Sequence, residues 1–184
     1  MITNIDKTGI DLCSYYECGG QPENPKWLNA YLDSGGVWTI GIGTIQYPNG
    51  VRVKKGDIIT PAQRDDYFLF EIKAKVSKAI ILTRDDINQN QFNAVVDFCY
   101  NAGTLALQKS TLLKTLNKNL ADKTIVTNFL AWRFDNGKEV PGLTRRRMSE
   151  GYLWFTGRLK FDWVNYKIYS QATIDEVLAA IKNG

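Results

Sequence analysis

Residues 30–43 read AYLDSGGVWTIGIG, and this stretch decides how the surrounding chain is interpreted. Asp33 precedes a Gly-Gly pair, and Thr39 follows six residues later in a run of β-branched and aromatic side chains. Such a run predicts a strand. The glycines allow a tight turn and, at Gly41, close approach of a ligand to the backbone. We therefore expect a carboxylate and a hydroxyl near the start of a strand, with Gly41 beside the ligand.

The chain on either side of this stretch divides into β and helical regions. Residues 37–58 include alternating apolar and charged positions and a Pro-Asn-Gly turn, which predict a β-hairpin or a three-stranded sheet. Residues 9–17 have helical spacing and are followed by a Gly-Gly pair that ends a helix. Capping signals and apolar stripes predict further helices over 60–81, 92–99 and 110–116, from Asp122 or Thr124 to 132, over 144–155, and from a capping box at Thr173 onward.

The β signal is confined to the first third of the chain, so the sequence predicts an α+β fold with segregated elements. We expect a single domain with a small β-bearing lobe at about 18–60 and a larger helical lobe at about 61–155 that includes the helix at 9–17. A C-terminal extension covers about 156–184, and its aromatic stretch from Phe155 to Tyr169 is predicted to serve packing. A cleft between the two lobes is the expected place for a site.

Composition excludes several classes of enzyme. The chain of 184 residues contains no histidine, which excludes Ser-His-Asp and Cys-His nucleophiles, zinc held by histidine and a histidine general base. Three cysteines without CxxC spacing predict buried thiols, neither a disulfide framework nor a metal site. A formal net charge of +4 weakly favours anionic partners and is too small to indicate nucleic acid. We expect no cofactor and no metal.

A second carboxylate, Glu17, ends the predicted helix that precedes residues 30–43. Two carboxylates facing one cleft suit cleavage of a glycosidic bond, because one can protonate the leaving oxygen while the other, ionised, activates water. The alternative is that Asp33 is an ordinary turn residue and Glu17 a solvated surface group, as most acidic residues are. Spacing alone leaves both interpretations open.

Several blocks of the sequence resemble, in order, those of the phage-type lysozymes, the endolysins related to phage T-even lysozyme. The deciding stretch at 30–43 resembles the hallmark of that family, and residues 9–17 resemble its opening helix. Residues 89–103 resemble its central buried helix, and 110–113, 129–132 and 141–147 resemble its later blocks. The resemblance covers roughly residues 9–155 and implies the lysozyme-like α+β fold.

The resemblance also implies an activity and roles for residues. The family hydrolyses the β-1,4 bond between N-acetylmuramic acid and N-acetylglucosamine in bacterial peptidoglycan. Matched by position, Glu17 becomes the general acid, Asp33 the carboxylate, and Thr39 the hydroxyl that helps to hold the attacking water. A water between Asp33 and the sugar implies inversion of configuration.

Two groups of residues leave alternatives open. The stretch between Glu17 and Asp33 is longer than is typical of the family, and it contains a rival acid, Glu23. We favour Glu17, since Glu23 lies between prolines in a loop. Arg145 and Arg146, in the triplet 145–147, are predicted to bind substrate carboxylates or to orient Glu17. The alternative for the triplet is a solvated helix face with one structural ion pair.

The expected partner is bacterial peptidoglycan, with no nucleic acid and no stable membrane insertion, and the expected state is a monomer. The first residues carry no secretory signal pattern, so we expect host cytoplasm before release through a holin-like pore, and then action on the wall. A virion-associated enzyme is the alternative setting. A lytic transglycosylase and a wall-binding module without catalysis are the alternative functions.

Overall fold

The computed structural model describes residues 2–33, 35–164 and 170–183. The helices are α1 (Lys7–Glu17), α2 (Pro61–Leu82), α3 (Gln89–Ala102), α4 (Thr104–Lys109), α5 (Thr111–Lys118), α6 (Thr124–Leu130), α7 (Pro141–Thr156) and α8 (Gln171–Asn183). Two antiparallel pairs of short strands accompany them, β1 (Tyr31–Leu32) with β2 (Trp38–Thr39) and β3 (Phe134–Asp135) with β4 (Lys138–Glu139). A 3₁₀ turn covers Pro25–Leu28. These elements confirm the α+β class.

The chain forms two compact units. One comprises Cys13–Ala74, and the other comprises Met1–Leu12 with Lys75–Gly184. Among the described residues, every helix is either too short or too polar to span a bilayer.

In the Cys13–Ala74 unit, the run at 37–47 does not form the continuous strand that its composition suggests. Gly41 and Gly43 have φ angles of 63° and 90°, which turn the backbone back on itself. Ile40 and Thr44 therefore bond to each other through both backbone N–H groups, at 2.8 and 3.0 Å. The Pro-Asn-Gly turn is present, since the amide of Tyr47 donates to Val51 at 2.8 Å, but it leads into a single isolated bridge.

The apolar centre of this unit holds the turn-rich segment together. Ile40, Val53 and Ile59 are buried, and partly buried side chains, Trp38 and Tyr67 among them, pack against them. Helix α2 begins at the predicted capping box, in which Thr60 and Gln63 exchange hydrogen bonds between side chain and backbone.

The other unit is built around α3 and α7. Helix α3 buries Phe92, Val95, Val96 and Cys99, the stripe predicted from their spacing. Asn88 and Gln91 form its capping box, and Ser110 caps α5 through a 2.9 Å bond to the amide of Leu113. Helix α4 and the β3–β4 hairpin were not predicted, although the Asn136-Gly137 pair at the hairpin turn is a typical signal.

The described part of the C-terminal extension packs into this unit as part of its core. Trp163 and Val177 are buried against Met148, Tyr152 and other side chains of α6 and α7. Helix α8 begins at Gln171, two residues before the predicted start, and Glu176 accepts the amide of Val164 at 2.9 Å. The predicted capping box at Thr173 is therefore wrong. Tyr166 and Tyr169 lie outside the described residues.

Candidate active site

A pocket of about 420 Å³ lies on the surface of the Cys13–Ala74 unit. It combines carboxylates, a cation and aromatic rings, and its lining residues are Glu17, Lys26, Trp27, Tyr31, Leu32 and Asp33. The two predicted acids thus line one pocket. Their closeness also affects Tyr31, whose pKa is raised to about 12, first by burial and then by nearby charges that include both acids. A phenol with the ordinary pKa of 10.0 is already neutral near pH 7, and the shift keeps Tyr31 neutral to a still higher pH.

The carboxylate of Asp33 is held by the turn that follows it. Its Oδ1 accepts the amides of Gly35 at 2.9 Å and Val37 at 2.8 Å, and its own amide donates to the Val37 carbonyl at 3.0 Å. None of the described residues donates to the second oxygen, Oδ2. One oxygen of Asp33 is thus fixed by the backbone while the other is available to a water molecule.

Glu17 is the last residue of α1, and its side chain is exposed at the pocket. The rival acid, Glu23, is exposed too, but it is not among the residues that line this pocket. Cys18, next to Glu17, is buried, and burial raises the pKa of its thiol to about 11. A thiol with such a pKa is a poor nucleophile near neutral pH.

Thr39 lies opposite Tyr31 in the β1–β2 pair. Directly opposed residues of an antiparallel pair share a face of the sheet, so the Thr39 side chain is on the face that carries Tyr31. It is buried, and its Oγ1 donates to the Val37 carbonyl at 3.1 Å. Thr39 is not among the residues that line the pocket, and its contact with the attacking water remains a prediction.

Gly41 has a local reason to be glycine. Its φ of 63° is unfavourable for other residues, and a Cβ there would lie 3.2 Å from Cγ of Arg64 and 3.4 Å from Cδ1 of Ile59. Its amide donates to the Trp27 carbonyl at 2.8 Å. This amide has an internal partner, and contact of Gly41 with substrate remains a prediction.

The arginine triplet lies on α7, in the other unit. Arg146 is buried and forms a bidentate ion pair with buried Asp97, in which Nε and Nη2 donate hydrogen bonds of 2.9 and 2.7 Å to the carboxylate. Arg147 is fully buried, pairs with Glu150 at 3.3 Å and donates to Asn101 at 2.7 Å. The triplet is therefore not a solvated face. Arg145 is half-buried, and substrate binding by Arg145 and Arg146 remains a prediction.

The carboxylates of this buried cluster differ in their affinity for protons. Burial would raise the pKa of Asp97, but the charge and hydrogen bonds of Arg146 outweigh it and lower the pKa to about 2. Burial raises the pKa of Glu150 well above its ordinary value, Arg147 opposes the rise and the charge of Asp97 adds to it. Neither oxygen of Glu150 accepts a hydrogen bond from a described residue. Glu150 therefore holds its proton more tightly than an ordinary glutamate, whereas Asp97 releases its proton more easily.

Sequence reasoning missed the lining residues Lys26 and Trp27 and the residue that anchors their segment, Arg64. Arg64 is buried, and its guanidinium donates to the Pro22 carbonyl at 2.9 Å and pairs with Asp65 at 2.8 Å. No sequence signal links Arg64 to a carbonyl so far away in the chain. Within the described part of the chain, no group of three or more Cys, Asp or Glu residues could hold a metal ion.

Comparison with known proteins gives the family. The phage lysozyme family model matches residues 26–150, which include Asp33 and Thr39 and begin after Glu17. The endolysin of Salmonella phage P22 is 36% identical over 136 residues, 73% of this chain and 90% of the relative. The endolysin of Bacillus phage B103 is 32% identical over 157 residues, 85% of this chain.

The chain spans only 56% of the length of the B103 relative. Among solved structures, the endolysin from Escherichia coli O157:H7 phage FAHEc1 aligns with a TM-score of 0.71 at 30% identity, covering 87% of this chain and 97% of that chain. The predicted lysozyme-like fold is thereby confirmed. A family model that matches most of the chain and a P22 relative covered almost end to end agree: the chain belongs to the phage lysozyme family.

Proposed function

We propose that this chain is an endolysin that hydrolyses the β-1,4 bond between N-acetylmuramic acid and N-acetylglucosamine in peptidoglycan. The observation that carries the proposal is the pocket that Glu17 and Asp33 line together, in a chain of the phage lysozyme family. Endolysin is the name of both phage relatives compared above.

In the proposed mechanism Glu17 protonates the glycosidic oxygen as the bond breaks. Asp33, with Oδ1 held by two backbone amides, uses Oδ2 to take a proton from water as that water attacks the anomeric carbon. Thr39 accepts a hydrogen bond from the same water through Oγ1 and so orients it. Attack from the face opposite the leaving group inverts the anomeric configuration.

The biological setting is part of the proposal. The enzyme acts as a monomer, accumulates in the host cytoplasm, and reaches the wall through a holin-like pore for host lysis. The proposed reaction requires neither a metal nor a cofactor, because proton transfer between the two carboxylates, the glycosidic oxygen and water is sufficient.

The test measures loss of turbidity of purified sacculi together with the mass of the products. Glu17→Gln is expected to abolish clearing, Asp33→Asn to reduce it nearly as far, and Thr39→Ala somewhat less. Asn at position 33 keeps an oxygen for the two backbone amides, so the turn is preserved. Glu23→Gln is the matched control, since Glu23 is an exposed acid of the neighbouring loop outside the pocket lining.

Each alternative has its own outcome. Reducing ends with one water added per cut support hydrolysis, whereas anhydro products indicate a lytic transglycosylase. Binding to sacculi without any clearing indicates a wall-binding module. An inactive Glu23→Gln beside an active Glu17→Gln would transfer the acid role to Glu23.

A further inference from the structure

The segment that carries Lys26 and Trp27 is held in place by contacts inside its own unit. Arg64 donates to the Pro22 carbonyl at 2.9 Å, and the Asn24 side chain caps the 3₁₀ turn through the amide of Lys26 at 3.0 Å. The Trp27 carbonyl accepts the amide of Gly41 at 2.8 Å. Lys26 and Trp27 are therefore presented by a fixed backbone, as a binding surface requires.

The Trp27 side chain is fixed as well. Its indole Nε1 donates to the Gln21 carbonyl at 2.8 Å, and its ring packs edge-on against Tyr31 with centroids 5.3 Å apart. The ammonium of Lys26 lies 4.3 Å from the centroid of the indole ring. A cation over an aromatic ring is attracted to its face, so Trp27 holds the flexible Lys26 side chain toward one position.

The charges of the pocket give Lys26 a specific partner. Among the six described residues that line the pocket, Lys26 is the cation, and Glu17 and Asp33 are acids. A substrate that brings its own carboxylate into this pocket is repelled by any ionised acid there and attracted by Lys26. Muramic acid is the unit of the glycan that carries such a carboxylate, either on its lactyl group or on the stem peptide attached to it.

We propose that Lys26, positioned by Trp27, forms a subsite that selects glycan carrying a carboxylate on muramic acid. The proposal rests on the proposed function for the identity of the glycan. Lys26 binds the carboxylate as an exposed ion pair, and Trp27 acts through Lys26 as a positioning residue. A pair of this kind contributes about two- to fivefold in kcat/KM.

The experiment compares three glycan probes. They are peptide-free strands with free lactyl carboxylates, the same strands with those carboxylates converted to methylamides, and strands that keep their stem peptides. The wild type is expected to cleave the carboxylate strands about two- to fivefold more efficiently than the methylamide strands. In Lys26→Met this ratio falls to one or below, and Lys26→Arg restores it. Trp27→Leu lowers the ratio, and Trp27→Phe, which keeps a ring, retains more of it.

Lys55→Met is the matched control, because Lys55 is an exposed lysine of the same unit outside the pocket lining. The ratio of cleavage of carboxylate strands to methylamide strands by Lys55→Met should equal that of the wild type. A greater effect of Lys26→Met on strands with stem peptides assigns the carboxylate to the peptide. A greater effect on the stripped strands assigns it to the lactyl group. Either result supports the subsite.

The subsite and the proposed function can fail separately. If the wild type cleaves the strands but Lys26→Met keeps both the wild-type ratio and the wild-type efficiency on strands with stem peptides, the subsite is overturned and the function stands. If nothing is cleaved, calorimetric binding of the same probes decides: binding that needs both the carboxylate and Lys26 supports the subsite while the function fails. Absence of both cleavage and binding overturns both.

Discussion

Replacing either member of the buried Arg146–Asp97 pair should be among the most damaging single changes in the chain. Their side chains are 4% and 0% exposed, and the two bonds of 2.9 and 2.7 Å join the guanidinium to both carboxylate oxygens. Removing one partner leaves a buried charge without compensation, which costs about 3–5 kcal/mol. We therefore expect Arg146→Met and Asp97→Leu each to lower the free energy of unfolding by about that amount.

The double variant separates the cost of an unpaired charge from the value of the pair. Two apolar side chains leave neither charge behind, so its loss of stability should be well below the sum of the single losses. Urea denaturation followed by circular dichroism measures each loss as a shift in midpoint at constant slope. In thermal denaturation, a loss of about 3–5 kcal/mol corresponds to roughly 6–20 °C in a chain of this length.

Two results would refute parts of this reasoning. Single variants that lose less than about 1 kcal/mol would mean that the pair behaves like an exposed one. For the predicted role of Arg146 in substrate binding, the test is turbidity clearing by the folded double variant. Full clearing would remove that role, and loss of clearing in a stable double variant would support it.

Two further predictions concern single positions. Because the pKa of Glu150 is raised in the folded state, its contribution to stability is complete below its ordinary pKa of 4.5 and is lost as the pH rises toward the folded value. Glu150→Gln, which cannot ionise, should therefore gain stability relative to the wild type as the pH rises from about 4 to about 8. A difference in urea midpoint between the two proteins that is the same at both pH values would contradict it. Gly41→Ala should lower the free energy of unfolding by about 1–2 kcal/mol, because the positive φ of this position is unfavourable for alanine. Gly142→Ala is the control and should cause no such loss, since a Cβ at that position meets nothing within 4 Å. Thermal denaturation of both variants measures the difference.

The features that sequence predicted correctly depend on neighbours in the chain. The capping box at Thr60 and the cap at Ser110 are examples, because each uses side-chain and backbone atoms within three residues. The stripe from Phe92 to Cys99 is buried as its spacing predicts. The structure goes further and buries every residue from Gln91 to Cys99, which the spacing of the apolar residues does not indicate.

The features that sequence could not predict depend on backbone angles or distant partners. The run at 37–47 has the composition of a strand, and only the positive φ angles of Gly41 and Gly43 interrupt it. Arg64 anchors the segment of Lys26 through a carbonyl 42 residues earlier. A carbonyl is present at every residue, so no residue type indicates which one a distant arginine will meet.

The three arginines of the triplet lie in different environments, and their positions on the helix explain why the sequence did not assign them one role. Three consecutive arginines on a helix must point in different directions, about 100° apart, so they cannot share one environment. Two of them are buried, and a buried guanidinium needs a partner inside the protein, which Asp97 supplies to Arg146 and Glu150 to Arg147. Arg145 is less buried than its two neighbours. If any arginine of the triplet contacts substrate, the energetics of burial therefore favour Arg145, because using Arg146 or Arg147 would require breaking a buried ion pair.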